Sequence, residues 1–250
     1  MLNRVLAVAL AAGLVAGLAI AVLEHFTTTP LILAGEVYEK GESHAALDPA
    51  VAGPRFAGAA VILAHSHGGE SARAGEAHEE GWSPAEGVER TAFTSLSTVL
   101  TAIGFALILL AGLTIAGDSI DVKRALAWAA AAFIATGLAP ALGLAPELPG
   151  SAAAPLLARQ IWWVGTAAAT AAALWLLIRT PGLWAKALGL LLLAAPHVIG
   201  APRPEAYASG APAELAGAFA ATSLVVHAAL WACVGVAVGF FWQRFTPRAS

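Results

Sequence analysis

Cysteine is all but absent. Cys233 is the single one among 250 residues. No disulfide can close within the chain, and no CxxC metal or redox motif exists. Cys233 sits in an apolar run and is expected to pack as a small hydrophobe. Charge is scarce as well. Charged residues make up 12% of the chain, against about 25% in soluble domains. There is no basic stripe, which argues against a nucleic-acid partner. The catalytic signatures are missing too. No GxxxxGK[ST] is present to cradle nucleotide phosphates, "HEEGW" is not HExxH, and no GxSxG accompanies a hydrolase pattern. The chain is not expected to be an enzyme.

What is there is apolar sequence, 59% of the total. Long runs of it place the chain among multi-span membrane proteins. A span needs about 20 mainly apolar residues. Six runs qualify: 5–23, 91–116, 125–144, 161–178, 183–199 and 214–242. The expected fold is an all-α polytopic bundle of about six transmembrane helices, forming one membrane domain over 1–250. The run 183–199 is the weakest, being short and carrying Lys186, so five spans remain an alternative. The first run is longer than the apolar core of a signal peptide, about 7–15 residues, and is read as a retained helix.

Orientation follows from lysine and arginine in the short loops. With the N-terminus cytoplasmic, Arg4, Lys123, Arg124, Arg179, Lys186, Arg244 and Arg248 fall inside. The short outer loops then hold only Arg159 and Arg203. Both termini are therefore expected to be cytoplasmic. Trp162 and Trp163 fall at an outer edge, and Trp128, Trp184 and Trp242 near inner edges, as an aromatic belt requires. Of the carboxylates, only Asp118 and Asp121 lie inside. An acidic outer face concentrates cations.

A long outer loop, 24–82, separates the first two spans. It carries "HSHGGESARAGEAHEEGW", residues 65–82. Imidazole nitrogens and carboxylate oxygens suit divalent transition metals. His65 and His67 point the same way on an extended segment. His78, Glu79 and Glu80 can complete a loose set, with His44 in reach. The alternative is a solvated acidic linker. "SPAEGVER" reads as a helix start, with Ser83 as cap, Pro84 in the first turn and Glu86 three residues after the cap. Within the membrane, His227 lies deep in the last span. A polar group there marks a functional site by default. Its bland alternative is an interhelical hydrogen bond. His197 and His25, at outer helix ends, would extend it into a descending series. Haem ligation by these histidines is a weaker reading. Gly13/Gly17 and Gly235/Gly239 are small-xxx-small pairs that admit close helix approach. "APALGLAPELPG" and "APHVIGAPRPEA" share the same Ala-Pro spacing, which suggests a duplicated hairpin with Pro140 and Pro196 at matching depths.

"HEEGWSPAEGVERTAFT", "TPLILAGEVYE", "APELPG…ARQIWW" and "PHVIGAPRPE" together resemble CbtA, a family of predicted cobalt transporter subunits. The likeness runs over nearly the whole chain. The resemblance implies a bacterial inner-membrane protein that takes up a divalent metal, cobalt by family and nickel or zinc by ligand chemistry. It also implies a small single-span, histidine-bearing partner of the CbtB kind. The outer loop would collect the ion, and His197 and His227 would line its path. The alternative is a membrane anchor or sensor that binds metal without moving it.

Overall fold

The computed structural model describes residues 2–47, 84–85, 87–205 and 209–245, with the backbone alone over 39–47. Among these residues every regular element is helical. In hydrocarbon a helix satisfies its own backbone donors and acceptors, which an open strand cannot do. Helix α1 runs Leu2–Phe26, α2 Thr28–Leu47 and α3 Val88–Ile115. Helix α4 runs Val122–Phe133, followed by a π-helical turn Ile134–Leu138 and the short α5, Ala139–Ala141. Helices α6, Leu156–Arg179, α7, Leu183–Ile199, and α8, Ala213–Arg244, complete the chain.

Five helices are long and apolar enough to cross a membrane, and α7 is a shorter apolar one of 17 residues. At 1.5 Å per residue, α7 covers about 25 Å. It begins where Lys186 donates to the Leu177 carbonyl near the end of α6. It ends where Trp162 Nε1, near the start of α6, donates to the Pro196 carbonyl at 3.3 Å. Helix α7 therefore carries the chain back along the whole of α6. Without it, α8 would start from the wrong end of the bundle.

Two regions differ from the sequence reading. Segment 24–82 is not loop throughout, because Thr28–Leu47 is helical and packs against α1 and α8. Only Thr27 interrupts the two helices, and its hydroxyl donates back to the Leu23 carbonyl at 2.6 Å. The mixture of polar and apolar residues in α2 hid it from a search for spans. The second predicted span starts at Val88, with Gly87 as its cap at φ 91°. The Ala85 amide donates to the Glu89 carboxylate at 3.2 Å. Ser83, the cap expected from sequence, lies outside the described residues. The third span starts as a capping argument would have it: the Asp121 side chain accepts from the Arg124 amide at 2.9 Å.

The core lies among α1, α3, α4 and α8, around Val8, Leu110, Leu113, Trp231 and Val234. The small-residue pairs set its spacing. A Cβ on Gly17 would sit 2.5 Å from Val99 Cα, and one on Gly235 2.8 Å from Ala129 Cβ. Gly13 meets Ile103 and Gly239 meets Val122 in the same way. These contacts bring α1 onto α3 and α8 onto α4 at backbone range. Helices α6 and α7 pack on each other, and α6 touches the rest through α4, the π turn and α5. Span three thus lies on span six and span four on span five.

The charges separate by end. Arg4 donates to the Trp242 carbonyl at 2.6 Å and lies 3.8 Å over that indole, tying α1 to α8. Asp118 accepts from Arg179 at 2.8 Å and from Trp128 Nε1 at 2.8 Å. At the opposite end Arg90 pairs with Glu36, and Arg159 with Glu147 at 2.7 Å.

Candidate functional site

A cavity of about 490 Å³ opens at the acidic end between α5, α6 and α8. Its mouth carries the Arg159–Glu147 pair, both side chains partly exposed. Gln160, Trp163 and Ser223 line its wall, and Thr136, Gly137 and His227 lie at its inner limit. The volume falls in the small-ligand range, about 300–1,000 Å³.

Proline builds this inner limit. Pro140 has no N–H to continue an α-helical ladder, and the backbone before it widens into the π turn. Irregular backbone of this kind is tolerated at membrane depth where it faces protein or a cavity. Gly137, in that turn, leaves room for the imidazole: a Cβ there would stand 2.7 Å from His227 Cδ2.

Three side chains meet at this point. His227 Nε2 lies 3.2 Å from Thr136 Oγ1 and 3.1 Å from Trp231 Nε1. Trp231 Nε1 also donates to Thr136 Oγ1 at 3.0 Å, and the threonine hydroxyl lies 2.8 Å from the Ala132 carbonyl. Phe105 stacks on Trp231 with centroids 4.5 Å apart and meets His227 edge-on. A buried polar group without a partner costs about 1–3 kcal/mol, and this network supplies partners on three elements.

Below the cluster lies an apolar groove of about 590 Å³ between α3, α4 and α6. Ala131, Ala167, Ala171 and Ile108 are among its lining residues. Thr136 and Trp163 border both spaces, whereas His227 borders only the polar one. At the basic end the groove reaches Arg124 and Arg179. There Arg179 grips both Asp118 oxygens, at 2.9 and 2.8 Å, and donates to the Ala116 carbonyl at 3.1 Å. The Arg179 guanidinium is the first cause holding the Asp118 carboxyl below its ordinary range; burial opposes it, and Trp128 and Arg124 add to it.

The histidines singled out from sequence do not converge. His227 lines the polar cavity. His197 is exposed on α7 against Trp162, ring centroids 6.1 Å apart, outside that cavity. His25 lines a third space of about 320 Å³ with Glu24, Arg90 and Thr94. His65, His67, His78, Glu79 and Glu80 lie outside the described residues. Among the described residues no three His, Cys, Asp or Glu side chains stand close enough to hold a metal ion together. Thr136 and Trp231 were not apparent from sequence. The one available signal was Pro140, four residues after Thr136.

Residues 2–243 match the CbtA family, described as a probable cobalt transporter subunit. No curated protein and no solved structure matches the chain. The chain belongs to the CbtA family.

Proposed function

From that membership we propose that the chain is the membrane subunit of a divalent-metal uptake system, with cobalt as cargo, and not an enzyme. It resides in the bacterial inner membrane with its basic end, and both termini, facing the cytoplasm. The observation that carries this reading is the polar cavity leading from the acidic end to His227. Carboxylates gathered at that end raise the local cation concentration. His65, His67, His78, Glu79 and Glu80 collect the ion loosely, since glycine-rich sequence supplies little preorganisation. Glu147 receives it at the mouth in competition with Arg159. His197 and His25 are separate stations at the outer rim, and neither shares the His227 cavity.

On the far side lies the apolar groove, whose lining offers a charged ion little, with the Asp118–Arg179 tie at its end. This is the arrangement of a path open at one end. Passage then requires α6 and α7 to move against the four-helix core, and a small single-span, histidine-bearing protein of the CbtB kind is the expected partner for that step.

Cells expressing the chain with its partner are expected to accumulate radiolabelled cobalt, and His227→Ala to lower that uptake. Wild-type uptake in the variant removes His227 from the path. Metal binding without flux in proteoliposomes that contain both the chain and its partner would instead identify a metal-binding anchor or sensor.

A further inference from the structure

His227 stands at the inner limit of the polar cavity. Trp231 has a single N–H, shared between His227 Nε2 at 3.1 Å and Thr136 Oγ1 at 3.0 Å. An indole nitrogen only donates. Where Nε2 accepts this N–H through its lone pair, the neutral imidazole carries its proton on Nδ1. Nothing among the described residues hydrogen-bonds Nδ1, and it is not among the sealed polar atoms lacking a partner. In that tautomer the cavity meets an N–H donor, whereas a metal ion bound directly needs the bare lone pair.

The surroundings agree. Among the described residues Glu147 is the only carboxylate lining the cavity, and Arg159 holds it. No set of three metal-binding side chains assembles among the described residues. A stripped divalent ion would find too few ligands here. The space of about 490 Å³ instead admits an ion with a full shell of oxygen ligands, each water amounting to about 30 Å³.

We infer that this cavity takes the cation with its oxygen shell retained. His227 Nδ1–H donates to a shell oxygen, and Trp231 and Thr136 are the positioning residues that fix the tautomer. The inference rests on the cavity being the cargo path. The shell oxygens belong either to water or to a small carboxylate chelator. A carboxylate oxygen is the better acceptor, because a metal-bound water has its lone pair drawn toward the cation.

The test uses the ¹⁵N-labelled full chain in lipid nanodiscs. A two-bond ¹H–¹⁵N spectrum, assigned by comparison with His227→Asn, reads which ring nitrogen of His227 is protonated. Nδ1–H is expected, and Nε2–H overturns the inference whatever the flux. Trp231→Phe is expected to release the ring to a mixture of tautomers, and an unchanged spectrum overturns the positioning role. Proteoliposomes holding the chain and its single-span partner are then given radiolabelled cobalt as the aqua ion or with excess citrate. His227→Leu is expected to lose about 10–100-fold in uptake, the usual cost of an outer-shell contact. His227→Asn, which keeps an N–H near the Nδ1 position, is expected to retain most of it. Equal losses in both variants overturn the outer-shell contact. Faster uptake with citrate assigns the shell to a chelator, and faster uptake of the aqua ion assigns it to water; both support the inference. Wild-type uptake of neither form overturns the transport reading, while the tautomer spectrum still decides the hydrogen-bond geometry.

Discussion

Thr136 Oγ1 in the π turn and His227 Nε2 on α8 lie 3.2 Å apart, although 91 residues separate them in the chain. This contact joins the broken third span to the last one at the inner limit of the polar cavity. It depends on Gly137 and Pro140 as much as on the two residues themselves, because they shape the turn and leave space for the ring.

Gly137→Ala tests that space. The new methyl would meet His227 Cδ2 at 2.7 Å and the Phe133 ring at 3.0 Å. Overpacking of this kind costs about 1–3 kcal/mol. The variant is expected to remain folded in detergent, melt at a lower temperature and lose cobalt uptake. Normal uptake in a folded variant would show that the ring position does not matter.

Gly17→Ile tests the α1–α3 approach. Its Cβ would fall 2.5 Å from Val99 Cα, a backbone atom that cannot swing aside. A loss of about 1–3 kcal/mol or more is expected in thermal unfolding. Gly165→Ala is the control, since nothing lies within 4 Å of its added Cβ. It is expected to match or slightly exceed wild type, alanine being the better helix former.

The Asp118 tie has a defined pH dependence. Its folded carboxyl is held below the ordinary value of 3.8, first of all by Arg179. A depressed acid stabilises the fold above its unfolded pKa and ceases to do so as pH falls through the folded value. The tie is therefore expected to persist at pH 5 and weaken only below about pH 4. Hydrogen exchange at the Arg179 end of α6 is expected to stay slow down to that range. Asp118→Asn should raise it at neutral pH. Release already near pH 6 would contradict the assignment.

Much of this was legible in sequence because membranes impose a simple rule. Apolar length alone located five long helices and the short α7, and the lysine and arginine pattern matched the separation of charges by end. The glycine pairs at Gly13/Gly17 and Gly235/Gly239 marked the close approaches correctly. Helix α2 escaped because Glu36 and its polar neighbours dilute its hydropathy. The π turn escaped because widening of a helix has no local code beyond the proline that follows it. Thr136 and Trp231 escaped for a different reason: each looks like an ordinary member of an alanine-rich span until tertiary packing brings both to His227. The descending histidine series failed on packing too, since α1, α7 and α8 present His25, His197 and His227 to different spaces.

Deleting residues 65–80 tests the collecting role of the outer tract. Weak ligands that raise local concentration matter most when cargo is scarce. Uptake is expected to fall at low cobalt and to approach wild type at saturating cobalt. An equal loss at every concentration would point to a structural role instead.

The central claim is that metal passes through the cavity ending at His227. Its most direct test is the initial rate of cobalt flux into proteoliposomes containing the chain and its single-span partner, wild type against His227→Leu. The account predicts flux in the wild type and a loss of about 10–100-fold in the variant. Equal flux in the two would contradict it.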